Sequence, residues 1–305
     1  MTASCAWQHP FDRVEDVAAT FDAHDYVADR PLCLTTKLAF DLGKPILLEG
    51  EAGVGKTEVA KVLASALDTP LIRLQCYEGL DASSALYEWN YARQTLHIRL
   101  AEADAARRAE LDTATFGPEF LFERPLLHAI RHPGPRPAVL LIDEIDRADE
   151  EFEAFLLKIL SDYQIIVPEL GIFRAVHRPC VILTSNRTRE LNDALKRRCL
   201  DLWIDYSTPD KERKIIMKRV PGISRELAGS VTRVMQGMRA VDFYKRPGVA
   251  EALDWARALL GLEIGIIVPE VVLETAGVAL KSRDDISRLS KLDLDALLQG
   301  RVVEG

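Results

Sequence analysis

The sequence is poor in most of the features that mark a special class of protein. Its 305 residues include five cysteines, Cys5, Cys33, Cys76, Cys180 and Cys199, and no two form a Cys-x-x-Cys pair. Without such a pair the thiols read as small apolar side chains in a reducing cytosol. No apolar run reaches membrane-spanning length, since the longest, Ala258 to Val268, is cut by Glu263. Met1 to Asp16 carries His, Asp, Arg and Glu with no apolar core, so no signal peptide is expected there. Basic residues are in the minority, 39 Lys and Arg against 47 Asp and Glu, for a formal charge of −8. Nucleic acid is therefore not expected as the main partner, because phosphate contacts need clustered cations. Repeats and low-complexity tracts are also missing. The expectation is a cytoplasmic globular chain long enough to bury one or two cores.

What is present centres on Gly50-Glu51-Ala52-Gly53-Val54-Gly55-Lys56-Thr57, which has the Gly-x-x-x-x-Gly-Lys-Thr spacing of a phosphate-binding loop. The apolar run Pro45 to Leu48 ends in Glu49 just before it, and Thr57 to Ala64 has helical periodicity just after it. A buried strand, a glycine turn and a helix start thus stand in the order the motif requires. Glycine amides can point inward around phosphate oxygens, and the helix that follows adds its N-terminal donors. Lys56 is placed to reach the β- and γ-phosphates of ATP, and Thr57 to offer its hydroxyl to Mg²⁺. Glu58 closes the set of loop residues expected around the nucleotide.

A second motif follows. Ala138 to Ile142 is an apolar run capped by Asp143 and Glu144, the pattern of a strand buried on both faces of a parallel sheet. Asp143 at the strand end is expected to hold Mg²⁺, and Glu144 to polarise the water that attacks the γ-phosphate. Asp146 either supports this site or caps the next helix, and the cap is the preferred reading. Cys180 to Thr184 forms another strand, ending in Ser185-Asn186-Arg187. Asn186 is expected to hold the attacking water or to touch the γ-phosphate. Arg197 and Arg198 close a short helix, where basic residues also serve simply to satisfy the helix dipole.

Around these motifs the chain reads as follows. Asp12 to Asp29 is a helical lead-in whose Tyr26 and Val27 either contact adenine or pack in the core. Cys33 to Leu42 is a helix stopped by Gly43 and Pro45. From Tyr77 to Pro118 the periodicity weakens, with aromatics at Tyr87, Trp89 and Tyr91 and a charged run from Ala101 to Leu111, so an excursion from the core is expected. Glu123 to His132 and Ala148 to Asp162 are helices, and Gln164 to Ala175 is a hairpin turning at Glu169-Leu170-Gly171. Beyond Thr208-Pro209 the segments Lys211 to Lys218, Ser224 to Met238, Pro247 to Leu260, Pro269 to Lys281 and Arg283 to Leu298 are helical. The third of these is expected to start with Pro247 in its first turn.

With these residues in order, the chain resembles the AAA+ ATPases of the MoxR family, and most closely the CoxD branch found with carbon monoxide dehydrogenase and related molybdenum hydroxylases. The loop from Leu47 to Thr57 and the run Asp143-Glu144-Ile145-Asp146-Arg147-Ala148 carry the family likeness. Gln75-Cys76-Tyr77-Glu78-Gly79 and Tyr87-Glu88-Trp89-Asn90-Tyr91 suggest the branch. The resemblance implies an α/β fold: a P-loop NTPase αβα core over 1–206 with a five-stranded parallel sheet, and a C-terminal α-helical lid over 207–305. It also implies an insert near 77–118, a hairpin near 164–175 and assembly into a hexameric ring. By position Asn186 matches sensor 1, Arg198 the arginine finger and Arg246 the sensor 2 arginine. Tandem Arg197-Arg198 leaves the identity of the finger open, and Lys245-Arg246-Pro247 departs from the commoner Ser-Pro-Arg-like arrangement. The implied partners are a von Willebrand factor A-domain protein and a molybdenum-containing hydroxylase client, with the chain acting as a chaperone-like machine. A nucleic-acid motor and a nucleotide-gated scaffold with little turnover are the competing functions.

Overall fold

The computed structural model describes residues 7–102 and 117–300. The charged run expected from Ala101 to Leu111 therefore lies outside the described residues from position 103 onward, as does Cys5. The chain forms two compact units. One comprises Arg30–Glu49 and Ala60–Leu202 with the N-terminal stretch up to Ala18; the other comprises Ala19–Asp29, Gly50–Val59 and the chain from Trp203 onward.

The first unit is built on the apolar runs read from the sequence. Helices α1 (Val14–Ala23) and α2 (Arg30–Leu42) lead to strand β1 (Ile46–Gly50). Helix α3 (Lys56–Ala66), β2 (Leu71–Gln75), α4 (Ala82–Leu86), β3 (Tyr87–Trp89) and α5 (Tyr91–Glu102) follow. Next come β4 (Leu121–Glu123), α6 (Pro125–Arg131), β5 (Val139–Asp143), α7 (Glu150–Asp162), β6 (Gln164–Val167) and β7 (Gly171–Arg174). The series closes with β8 (Cys180–Ser185), α8 (Asp193–Arg198) and β9 (Leu200–Ile204). The five-stranded sheet has the order β2-β5-β8-β1-β9. Ile142 stands beside Leu183 and Glu49 beside Ser185 in parallel registers, so β1, β5 and β8 end at one edge of the sheet. Both β1 and β5 are buried at all five positions, as expected of central parallel strands covered on two faces.

The expected excursion is more ordered than its weak periodicity suggested. Short strand β3 pairs antiparallel with β4, Tyr87 facing Glu123 and Trp89 facing Leu121. In strands of three residues the alternation of Tyr87 and Trp89 is too brief to mark a strand, so this pair is not expected from the sequence. The hairpin β6–β7 forms where expected, turning into Gly171 at φ +91°.

The second unit holds the helices α9 (Pro209–Arg219), α10 (Arg225–Ala240), α11 (Val249–Gly261), α12 (Pro269–Ala279), α13 (Arg283–Leu289) and α14 (Leu294–Leu298). Trp255, 1% exposed, anchors an apolar core with Val231, Met235, Leu259 and Leu297. Two expectations are corrected here. The single helix expected over Arg283 to Leu298 is two, because the Asp293 side chain accepts from Ala296 N and starts a new helix. Pro247 is not in the first turn of α11. Gly248 is the N-cap, its amide donating to Glu251 Oε2 at 2.9 Å, and Pro247 precedes it.

Candidate active site

In the second unit, the loop between β1 and α3 takes the backbone path its glycines permit. Gly53 and Gly55 lie at φ +79° and +99°, a region that side-chain-bearing residues rarely enter. A Cβ on Gly50 would lie 2.2 Å from Ile204 O, so the strand end passes that backbone too closely for any other residue. Lys56 is 6% exposed, and its Nζ donates to Gly50 O and Glu51 O, each at 2.7 Å, so the ammonium is folded into the loop. Thr57 and Glu58 are half-buried in the first turn of α3, and Arg219 donates to Glu58 Oε1 at 2.6 Å.

The same unit brings Arg246 to this loop. Val249 N donates to Gly53 O at 3.0 Å, and a Cβ on Gly248 would meet Gly53 O at 2.7 Å. Glu51 and Ala52 line a cavity of about 240 Å³ together with Tyr206 and the segment from Asp242 to Arg246. That segment is pinned at both ends. Asp285 accepts from Tyr244 N at 2.9 Å and Lys245 N at 3.3 Å, and Arg239 Nε donates to Pro247 O at 2.7 Å. Arg239 is in turn held by Glu212, both nearly fully buried, at 2.5 and 2.9 Å. Burial, with Glu51 nearby, raises the Tyr206 phenol above its ordinary value. Tyr26 and Val27 are half-buried just after α1, with the Tyr26 ring 5.3 Å from that of Phe21.

In the first unit, the acids at the end of β5 are held by side chains from neighbouring strands. Asp143 is 4% exposed. Its Oδ1 accepts from Thr184 Oγ1 at 2.5 Å, and its Oδ2 accepts from Arg73 Nε at 3.1 Å and Nη2 at 2.5 Å. The Thr184 hydroxyl also accepts from Glu144 N at 2.9 Å, so it fixes the turn that follows Asp143. Glu144 adopts φ +56°, ψ +51°, a left-handed conformation that is uncommon outside glycine and is concentrated at functional sites. Its Oε2 accepts from Gln75 Nε2 at 3.1 Å and pairs with Arg147 Nε at 2.9 Å, while Asn186 Nδ2 reaches its Oε1 at 3.4 Å. Asn186 and Glu144 are thus brought together. The Cys76 thiol lies close by, and burial, reinforced by Asp143, Asp146 and Glu144, pushes its pKa up from 9.0 to about 12.

Asp146 does not cap the following helix. Asp149 does, accepting from Phe152 N at 2.8 Å. Asp146 Oδ2 instead accepts from Thr188 N at 2.9 Å and Thr188 Oγ1 at 2.7 Å, tying the end of β5 to the loop after β8. Buried Glu49 at the end of β1 attracts Lys196 at 3.6 Å and Arg187 at 4.0 Å. Of the three basic residues closing α8, Lys196 turns towards Glu49, and Arg197 and Arg198 are exposed.

Taken separately, the loop in the second unit fits the phosphates of a nucleotide, and the strand-end acids in the first unit fit a magnesium ion. The loop supplies a lysine and glycine-permitted amides for an anion. Asp143 supplies hard carboxylate oxygen, the donor type Mg²⁺ takes when phosphate oxygens complete its shell. Glu144 is poised by Asn186 and Gln75. No local motif assigns a role in the site to Arg73, Gln75, Thr184, Arg147 or the Glu212–Arg239 pair. The one local signal was the alternation in β2, where Arg73 and Gln75 are exposed between buried Ile72 and Leu74.

The chain is similar to several known proteins. The profile of the AAA domain (dynein-related subfamily) matches residues 45–199, half of the chain. Uncharacterized proteins of Staphylococcus aureus, from strains bovine RF122 / ET3-1 and USA300 among others, are 28% identical over 233 residues, which is 74% of this chain and 79% of theirs. Among solved structures, a point mutant of Thermotoga maritima RuvB aligns at TM-score 0.47 and 18% identity, over 88% of this chain and 71% of that one. The Thermotoga maritima RuvB Holliday junction branch migration motor aligns at 0.45 and 18%, over 82% and 67%. Since the matched residues run from Pro45 before the phosphate loop to Cys199 after Arg198, this chain belongs to the AAA domain family, dynein-related subfamily, and carries an AAA+ ATPase domain.

Proposed function

We propose that the chain hydrolyses ATP with Mg²⁺ as a ring-forming AAA+ machine, and that the work of the ring is to remodel a metal-enzyme client. The observation that carries the catalytic part is the network at the carboxyl edge of the sheet. Asp143 and Glu144 end β5, Asn186 reaches Glu144 from the end of β8, and neighbouring β1 runs directly into the phosphate loop. Ligands of open α/β sheets bind at this edge.

The roles follow from the chemistry of each group. Amides from Gly50 to Gly55, with Lys56, hold the phosphates. Thr57 and Asp143 hold the metal, which neutralises the charge that develops on the transferred phosphoryl group. Glu144 takes the proton of the attacking water while Asn186 orients it. Arg246, brought beside Glu51 and Ala52, senses the phosphates, and Tyr26 and Val27 cover the base. Arg198 completes a neighbour's site, which its exposed position at the end of α8 allows. The core is taken as 1–206 and the lid as 207–305. Resemblance to the MoxR family and its CoxD branch supports a hexamer, an A-domain partner and a molybdenum-containing hydroxylase as client, in the cytoplasm.

The test is phosphate release against Mg²⁺ and protein concentration. Wild type should turn over only with Mg²⁺, with a rate per chain that rises as chains associate. Glu144→Gln should lose on the order of 10²-fold or more in turnover while still binding ATP. Unchanged turnover in that variant would remove Glu144 from the mechanism. The ATP-held variant should co-purify the hydroxylase or the A-domain protein. Hydrolysis stimulated by DNA would point instead to a nucleic-acid motor.

A further inference from the structure

Arg73 holds an oxygen of the acid proposed to bind the metal. Asp143 is nearly fully buried and both of its oxygens are engaged, Oδ1 by the Thr184 hydroxyl and Oδ2 by two nitrogens of the Arg73 guanidinium at 3.1 and 2.5 Å. The guanidinium fork is the cationic group best matched to a carboxylate, and it stays charged at every working pH. Yet the Arg73 side chain is 53% exposed, against 5% for Asp143, so it can swing away without leaving a buried cation behind. It also has somewhere to go, because the same Nη2 donates to Gln75 Oε1 at 2.6 Å on its own strand.

Charge gives this contact its consequence. Asp143 and Glu144 are consecutive at the end of β5, and Asp146 lies in the turn just beyond them, so three carboxylates follow one strand end. Such a cluster attracts any cation, and two arginines answer it separately: Arg73 on Asp143 and Arg147 on Glu144. A divalent ion approaching Asp143 Oδ2 meets a tethered competitor. We propose that Arg73 is a built-in rival of Mg²⁺ for Asp143, a positioning residue that raises the metal concentration the site needs. When metal arrives, the guanidinium leaves Oδ2 and remains with Gln75, whose amide nitrogen holds Glu144 at 3.1 Å. Metal loading is thereby transmitted to the water-activating acid through one side chain. The inference rests on the proposed role of Asp143 as a metal holder.

The test is a titration of Mn²⁺, as a paramagnetic stand-in for Mg²⁺, into the 305-residue chain saturated with ADP, with free Mn²⁺ read by electron paramagnetic resonance. Arg73→Met should bind Mn²⁺ about tenfold more tightly than wild type, the size expected on losing one close charge-assisted pair. Arg73→Lys, which keeps the charge and loses the fork, should show a smaller gain. Arg147→Met removes an equal charge from Glu144 and controls for the general field, so it should change Mn²⁺ affinity by less than about threefold. Equal or weaker Mn²⁺ binding in Arg73→Met overturns the inference, as does an equal gain in Arg147→Met. If Arg73→Met does not fold, as judged by its melting curve, Arg73→Lys decides alone, and an affinity no tighter than wild type overturns the inference. Asp143→Asn separates the two levels of argument. If it binds Mn²⁺ as tightly as wild type, the metal role of Asp143 falls and the inference falls with it; if it binds weakly while Arg73→Met is unchanged, only the rivalry falls.

Discussion

The phosphate loop and the strand-end acids are held in opposite ways. The loop is fixed by main chain. Gly50 backs onto Ile204, Gly53 O receives Val249 N, and Lys56 itself donates to two carbonyls of its own loop. The acids are fixed by side chains that arrive from other strands: Arg73 and Gln75 from β2, Thr184 and Asn186 from and just after β8. A loop held by main chain needs few particular residue types, glycine above all, at fixed local spacing. A carboxylate held by side chains needs partners whose identity depends on strand order, and that order is a property of the whole fold.

The contrast can be broken from either side. The largest effect is expected in the unit that carries the loop. Removing one partner of the Glu212–Arg239 pair leaves a charge buried at 0% or 8% exposure, which typically costs about 3–5 kcal/mol. Arg239→Met should therefore lower the melting temperature strongly and also free Pro247 O, loosening the segment that carries Arg246. Glu212→Leu combined with Arg239→Met should recover part of the loss, since no charge is then stranded. A double variant as unstable as the single would show that the pair matters for something other than its charges.

A smaller loss is expected on the acid side. Thr184→Val keeps the shape and removes the hydroxyl that joins Asp143 Oδ1 to Glu144 N. An unsatisfied buried polar group costs about 1–3 kcal/mol, and here the left-handed turn at Glu144 also loses its clamp. Stability in denaturant should fall by that amount, and turnover should fall further than stability, because Glu144 is no longer held in place. Thr184→Ser should restore both. Equal behaviour of the Val and Ser variants would mean that the hydroxyl positions nothing.

The effect that is smallest at neutral pH appears only in alkali. Burial raises the thiols of Cys76, Cys180 and Cys199 from 9.0 to about 12, and the Tyr163 phenol from 10.0 to about 12. The unfolded chain loses these protons at lower pH than the folded one, so it binds fewer protons above about pH 9. Stability should be insensitive to these groups below pH 8 and should decline between about pH 9 and 12. The same burial should leave the thiols unreactive towards iodoacetamide in the folded chain at pH 8. Prompt alkylation of Cys76 there would contradict its burial.

What could be read in the sequence follows the same division. The loop, the run ending in Asp143-Glu144, the helix of Phe152 and Leu156 and the hairpin around Gly171 were legible because each is written in contiguous residues. The ion pair of Arg73 and Asp143 joins residues 70 positions apart, and nothing local in Leu-Ile-Arg-Leu-Gln marks Arg73 as more than an exposed strand residue. Near misses came from local competition. Asp146 and Asp149 are both placed to cap α7, and only the contact with Thr188 shows which one is occupied elsewhere. Pro247 looks like a first-turn proline until Gly248 takes the cap, a position forced by its approach to Gly53. The short pairing of β3 with β4 left only the alternation of Tyr87 and Trp89, too brief a trace to mark a strand.

The central proposal is that loop and acids, held so differently, serve one nucleotide. It is tested most directly by measuring the affinity of a fluorescent ATP analogue with and without Mg²⁺ in wild type, Lys56→Ala, Asp143→Asn and the double variant. The account predicts that Mg²⁺ strengthens binding in wild type, that Asp143→Asn abolishes this gain, and that the two substitutions are strongly non-additive, as expected of groups acting on one ligand. A gain from Mg²⁺ that survives intact in Asp143→Asn, with strictly additive effects, would contradict it.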